Sequence, residues 1–401
     1  MKRTYKSTAI ACYIGYIVQA IVNNLSSIFF IIYQDELGIS YSMLSWLVFI
    51  NFATQLATDM LSVHFTERVG HKNAVAAANI CAGVGLVLLG VLPKVMGGTF
   101  ISLVIPTMVC AVGGGLIEVL ISPIVDMLPG EMKSAKMSFL HSFYCWGQML
   151  TVLATTVLLY LVGTELWFVI PMLWAIIPLA NGVNFVSVPI IDPVSGDEKV
   201  PVKTLLSSKV FIAMLILMLA AGSSELTMSQ WASLFAEKGL GVSKVIGDIA
   251  GPCAFAFLMG LGRVIHGAIG GKMKIETALL SSALLCVVTY LVASLSPLPI
   301  VSLIACAVCG LSVAVMWPGT YSMASEKYEK GGTSMFAMLA IFGDLGCSVG
   351  PWFAGLVSTG AAMAGVGAND QLRWGIGASV IFPLMMVIII LGMKLKGKKK
   401  A

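Results

Sequence analysis

The sequence predicts an all-α integral membrane protein with twelve transmembrane helices arranged as two pseudo-symmetric six-helix halves. Three observations carry that expectation. The chain is 58% hydrophobic and 11% charged, with a mean hydropathy of +0.95, far outside the range of soluble globular proteins. Its apolar residues fall into twelve windows long enough to span a bilayer. A short motif at the end of the first window also returns about 200 residues later, at the end of the seventh, which marks a duplicated unit.

The windows lie near 8–33, 43–65, 73–92, 99–128, 136–161, 167–187, 209–235, 245–270, 276–296, 299–325, 333–358 and 374–394, separated by polar or Gly/Pro breaks. Each runs to roughly 20 to 28 residues, enough to cross with some tilt. The opening Met1-Lys2-Arg3-Thr4-Tyr5-Lys6 imitates a signal peptide. The apolar stretch after it continues past Tyr33 with no small-residue cleavage site, so it reads as an uncleaved first helix. Nine cysteines lie mostly within apolar segments and behave as small hydrophobes rather than a disulfide framework.

The net charge of +5 does not imply a nucleic-acid partner, because the cations sit at segment ends. With the N-terminus inside, 19 of the 24 Lys and Arg residues fall on the cytoplasmic side, from Lys2, Arg3 and Lys6 to Lys398, Lys399 and Lys400. Lys94, Lys238, Lys244 and Arg373 fall on the other side, and Arg263 lies within a span. Both termini are therefore expected in the cytoplasm, with the chain in the cell membrane.

The repeat sets Leu37-Gly38-Ile39-Ser40 against Leu240-Gly241-Val242-Ser243, and a weaker echo sets Phe143-Tyr144-Cys145-Trp146-Gly147 against Phe342-Gly343-Asp344-Leu345-Gly346. Both fall on equivalent spans with nearly the same offset. The expected organisation is an N-terminal half over 1–189, a polar cytoplasmic linker over 190–208 and a C-terminal half over 209–401. Duplicated halves around a midplane site are a common plan for secondary transporters.

Phe65-Thr66-Glu67-Arg68-Val69-Gly70-His71-Lys72, between spans two and three, resembles the acid-Arg-x-Gly-Arg-Lys signature of the major facilitator superfamily. Glu67 stands for the usual Asp and His71 for a basic residue. Within that superfamily several spans are similar to fucose permease-type sugar:proton symporters. The residues concerned are Asn23-Asn24-Leu25, Glu118, Ser142-Phe143 before Gly147, Glu225 followed by Trp231, and Met316-Trp317-Pro318 with Ser322 and Ala324. The resemblance implies proton-coupled uptake of a sugar or similar neutral polar solute by alternating access, with Glu118 as a coupling carboxylate. The acid that those permeases carry in span one falls here on Ser27. The proton-driven exporters' arginine in span four is absent, as are the Pro-Glu-Ser and Pro-Glu-Thr signatures of the large sugar facilitators.

The residues themselves define the candidate site. Glu118 follows three glycines, Gly113-Gly114-Gly115, inside an apolar span. A carboxylate there costs about 2.5 to 3.5 kcal/mol on insertion scales and faces a wet cavity or a partner. Carboxyl groups withdrawn from water hold protons more readily, which coupling requires. Glu118, Ser122 and Asp126 share one helix face, as do Asn51, Gln55 and Asp59.

Asp344, between glycines, is a second candidate for proton coupling. The solute-contacting candidates are Asn23, Asn24, Glu118, Tyr144, Gln148, Glu225, Gln230, Trp231, Trp317 and Tyr321, a set of amides, acids and aromatic faces suited to hydroxylated rings. Gating is assigned to Asp59, Glu67, Arg68, Gly70, Lys72 and Arg263, with Asp59 structural and Arg263 pairing an acid. His141 reads as a hydrogen-bonded residue near a helix end. Cys306-Ala307-Val308-Cys309 has no second pair to complete a metal site.

Acids outnumber Arg263 within the spans, so the substrate is expected to be neutral or cationic. An exporter of amphipathic cations or drugs is the alternative function, and a receptor that binds without transport is a third. No enzyme is expected: the chain has no His-Glu-x-x-His, no Walker loop and no Gly-x-Ser-x-Gly. No cofactor or metal is expected, and the partners are a small solute, protons and the bilayer around a monomer.

Overall fold

A computed structural model describes residues 4–126, 128, 133–190, 202–269, 273–328 and 332–398. Within these ranges some side chains also lie outside the described set, Glu67, Arg68, Ser122 and Asp126 among them. The described residues are helical with short turns between. The chain divides into two compact units, Met1–Ser195 and Gly196–Ala401. Residues 191–201, most of the expected linker, lie outside the described residues.

The first unit contains α1 (Tyr5–Ile28), α2 (Phe30–Leu37), α3 (Tyr41–Val69), α4 (His71–Val95), α5 (Phe100–Asp126), α6 (Lys133–Val162), α7 (Val169–Trp174) and α8 (Ile176–Ser187). The second contains α9 (Val202–Leu206), α10 (Lys209–Leu234), α11 (Lys244–Asp248), α12 (Ala254–Ile269), α13 (Ile275–Leu295), α14 (Pro299–Val313), α15 (Met316–Lys327), α16 (Gly332–Met363), α17 (Ala368–Ala378) and α18 (Ile381–Lys398). Eleven helical stretches among the described residues are long and apolar enough to cross a membrane. With α3, a helix of 29 residues, they make the twelve spans of an all-α membrane protein.

Several spans are broken, and proline accounts for three of the breaks. Interruptions at Ala175, at Ala314–Val315 and at Ser379–Val380 precede Pro178, Pro318 and Pro383 by three or four residues. Each proline lacks the N–H that would bond the carbonyl four residues back, and its ring crowds that carbonyl. Span eight passes through a π-helical turn, Ile249–Cys253, that contains Pro252, and span seven ends in another, Phe235–Gly239.

The same pairings recur inside each unit. In the first, α1 packs on α6, α4 on α5 and α3 on α5; in the second, α10 packs on α16, α13 on α14 and α12 on α14. The two sequence echoes mark equivalent points of this plan. At Gly38 and Gly241 φ is +67° in both cases. Gly38 N–H bonds Gln34 O and Ile39 N–H bonds Tyr33 O; Gly241 N–H bonds Glu237 O and Val242 N–H bonds Ala236 O. Leu-Gly-Ile-Ser and Leu-Gly-Val-Ser therefore encode one Schellman turn used twice, with glycine supplying the left-handed residue. Gly241→Ala is expected to lower stability by about 1 to 2 kcal/mol, the cost of holding an L-residue there, read as a lower melting midpoint in detergent.

The second echo is a helix crossing. A Cβ on Gly147 would lie 2.9 Å from Ile17 Cα, and one on Gly346 would lie 3.0 Å from Leu219 Cα. Both glycines bring the fifth helix of their half onto the first.

Candidate functional site

In the first unit polar side chains of α1 bond those of α3, α5 and α6. Gln19 on α1 donates its Nε2 to Oε2 of Glu118 on α5. One turn along α1, Asn23 Oδ1 accepts from Gln55 Nε2 at 2.5 Å and Asn51 Nδ2 at 3.4 Å, both on α3. Asn24 Nδ2 donates to the Ala20 carbonyl at 2.9 Å and faces the Tyr144 hydroxyl of α6 at 3.4 Å. Gln19, Asn23, Asn24, Asn51, Gln55 and Gln148 are buried, whereas Glu118 and Tyr144 are half-buried. Each amide offers both a donor and an acceptor, so the cluster can exchange internal bonds for those of a hydroxylated solute.

The three glycines explain how four helices share this space. A Cβ on Gly113 would meet Ala82 N at 2.5 Å and Ala78 O at 2.7 Å, both backbone atoms of α4. A Cβ on Gly115 would lie 2.9 Å from Asp59 Oδ1 and 3.2 Å from Gln55 Cα. Successive glycines thus let α4 and α3 close onto α5 one turn before Glu118, the small-residue contact that membrane helices favour.

Asp59 stands at this α3–α5 crossing, within the network's neighbourhood. Of the expected gate, Gly70 is the left-handed break between α3 and α4 at φ +79°, and Lys72 is half-buried in the first turn of α4. Glu67 and Arg68 lie outside the described side chains. His141 pairs edge-on with Tyr16, its Nε2 3.4 Å from the tyrosine hydroxyl, as expected of a hydrogen-bonded histidine.

In the second unit Arg263 of α12 lies 3.6 Å from Oε2 of Glu225 on α10. The expectation that Arg263 pairs with an acid was placed at a gate; the acid it meets is instead a candidate for substrate contact. Trp231 is fully buried, and its indole N–H donates to the Pro351 carbonyl of α16 at 3.0 Å. That bond and burial pack the indole between α10 and α16.

Trp317 and Tyr321, half-buried on α15, lie 6.5 Å apart and tilted. The Trp317 ring fills the space beside Gly343, where a Cβ would come within 2.7 Å of it. Asp344 and Gln230 are buried, and the Asp344 carbonyl accepts from Ser348 Oγ at 3.1 Å.

Two polar residues at telling positions were missed by the sequence reading. Gln19 is four residues before Asn23, the spacing that puts both on one face, and it was passed over among apolar neighbours. Asp248 is wholly buried on α11, bonded by the Ser233 hydroxyl and paired with Lys244 at 3.1 Å. Its i−4 lysine was the available signal.

Comparisons with known proteins agree with this architecture. The profile of the Major Facilitator Superfamily matches residues 12–351. Among curated proteins none matches the sequence. Solved structures of similar fold include a bacterial homologue of the human lysosomal transporter Spinster, inward-facing and occupied, at 14% identity and a TM-score of 0.76 over 96% of each chain. A D-xylose-proton symporter matches at 14% identity and a TM-score of 0.77, covering 95% of this chain and 97% of its own. An E. coli fucose:proton symporter matches at 14% and 0.67, covering 97% and 98%. At these identities the likeness is one of fold.

Proposed function

The chain belongs to the major facilitator superfamily, and from that premise we propose that this transporter carries a sugar or similar neutral polyhydroxylated solute inward together with protons, by alternating access. The observation that carries the reading is the bond from Gln19 to Glu118 at the head of a buried amide network. A carboxylate beside a neutral amide can accept a proton and keep a hydrogen bond in either state, because the amide also has an acceptor oxygen. In the first unit Asn23, Asn24, Tyr144 and Gln148 supply neutral donors and acceptors to solute hydroxyls; in the second, Gln230, Trp317 and Tyr321 are the candidate solute contacts. Asp344 is a further candidate for protonation.

The topology that goes with this function has both termini in the cytoplasm, halves over 1–189 and 209–401 joined by the 190–208 linker, and a monomer in the cell membrane. The Asp59, Glu67, Arg68, Gly70 and Lys72 group would gate the cytoplasmic end. The two solved proton symporters of this fold are described as carriers of xylose and fucose, which supports the choice of solute class.

The test is proton movement in proteoliposomes, screened over sugars, polyols, nucleosides and organic cations. External alkalinisation with one class of hydroxylated solute is the expected result. Outward movement of amphipathic cations would establish the exporter instead, and equilibrium binding without counterflow would mark a receptor.

A further inference from the structure

Independently of the direction and coupling of transport, we propose that a cleft at the Gly241 end of the second unit binds the headgroup of a zwitterionic phospholipid, whose acyl chains lie along α13. The cleft, about 900 Å³ in volume, is bounded by the turn after α10, the last turn of α13 and the first turns of α17. Spanning stretches Lys209–Gly239 and Ile275–Leu295 end there and Ala368–Lys394 begins there, so the cleft lies at the depth where hydrocarbon gives way to headgroups. Its size falls within the roughly 300 to 1,000 Å³ of small-molecule sites.

The charged residues of the lining are Arg373 and Asp370, both on α17. Arg373 Nη1 donates to the Ser294 and Ser296 carbonyls at 3.2 and 2.6 Å, and the guanidinium carbon lies 6.0 Å from the Phe235 ring centroid. Those contacts fix the guanidinium at the end of α13 and leave its Nη2 hydrogen-bonded to none of the described residues. A fixed guanidinium with an open edge is a ready donor to phosphate oxygens. Asp370 Oδ1 stands 3.6 Å from Arg373 Nε, and its side chain is 64% exposed. At that distance, beyond the roughly 2.7 to 2.9 Å of a charge-assisted bond, the carboxylate keeps acceptor capacity for another cation. A lone anion would be drawn to Arg373 and repelled by Asp370, and a lone cation the reverse. A phosphate joined to an amine by an ethylene link meets both charges at once.

The acyl chains have a place of their own. Leu284, Val288, Leu291 and Leu295 are exposed and recur every three or four residues, on one face of α13. Leu291 and Leu295 carry that face into the wall of the cleft. Trp374, 59% exposed, also lines it, an amphipathic ring at headgroup level. A water-soluble zwitterion would leave this stripe unused, which makes a lipid the occupant.

The experiment titrates the purified protein in detergent with phosphatidylethanolamine, phosphatidylcholine or phosphatidylglycerol of one chain composition and counts retained lipids by native mass spectrometry. Wild type, Asp370→Asn and Arg373→Gln are compared. Asp370→Asn is the informative variant, because that side chain is exposed and the change leaves the bonds from Arg373 to α13 in place. The wild type is expected to hold one ethanolamine or choline lipid about three- to fivefold more tightly than the glycerol lipid, the scale of one partly exposed charge contact. Asp370→Asn should reverse that preference toward phosphatidylglycerol, and Arg373→Gln should release the lipid whatever its headgroup. A wild type indifferent to headgroup, or one that prefers phosphatidylglycerol, would overturn the site, as would a preference unchanged in Asp370→Asn. Competition by glycerophosphoethanolamine as strong as by the intact lipid would overturn it too, since the occupant would then be a soluble zwitterion.

Discussion

Glu118→Gln should abolish one coupled proton while leaving solute exchange intact, so that accumulation falls about tenfold for each unit of imposed pH gradient. The reasoning starts from shape. Glutamine is close to isosteric with glutamate, and its amide can still meet Gln19 Nε2 through its oxygen. The network through Asn23, Gln55 and Asn51 therefore keeps its partners. What disappears is the only change in charge that α5 can make at that level among its described side chains. Counterflow needs no net proton movement and should stay within about twofold of wild type. Gln19→Leu is the complementary variant. It removes the donor without removing the carboxyl group, so the pH dependence of solute binding should move while transport persists, whereas a merely structural Gln19 would leave that profile in place. Solute accumulation equal to wild type in Glu118→Gln would mean that the carboxylate only clamps α5 to α1.

The second large effect is on folding. Gly113→Val is expected to cost 3 kcal/mol or more, roughly the upper range for overpacking, and to yield little folded protein in detergent. The atoms in the way, Ala82 N and Ala78 O, belong to the α4 backbone, so no side-chain rotation can make room and the helices must separate. Separation would also lift α5 from α4 one turn before Glu118. The control is Gly360→Ala on α16. Nothing lies within 4 Å of the added methyl, so the substitution should stabilise by about 0.5 to 1 kcal/mol through lower backbone entropy in the unfolded chain. Denaturation midpoints of the two variants, measured side by side, check both signs. Equal midpoints would remove close packing as the reason for the glycine triplet.

Much of this protein was determined by its sequence alone. Spans of apolar residues must satisfy their own backbone in lipid, so their lengths announce the helices without any knowledge of packing. The two Leu-Gly turns could be read for the same reason: a Schellman cap is a local structure, specified by a glycine within a few residues. The acid within span four and the glycines before it likewise stood out against their neighbours, because a charge amid apolar residues is conspicuous wherever it points.

What only the tertiary structure decided is which polar groups meet. Gln19 was inconspicuous until α1 and α5 were side by side, since a contact between residues 19 and 118 depends on helix rotation and not on local spacing. Glu225 and Arg263 were both visible, yet only the tertiary structure brought their side chains to 3.6 Å. The Trp231 indole N–H donates to the Pro351 carbonyl, a contact that no spacing in the sequence announces. The periodicity of a helix tells which residues share a face; what that face meets is set by crossing angles and close approaches, which glycines far away in sequence permit.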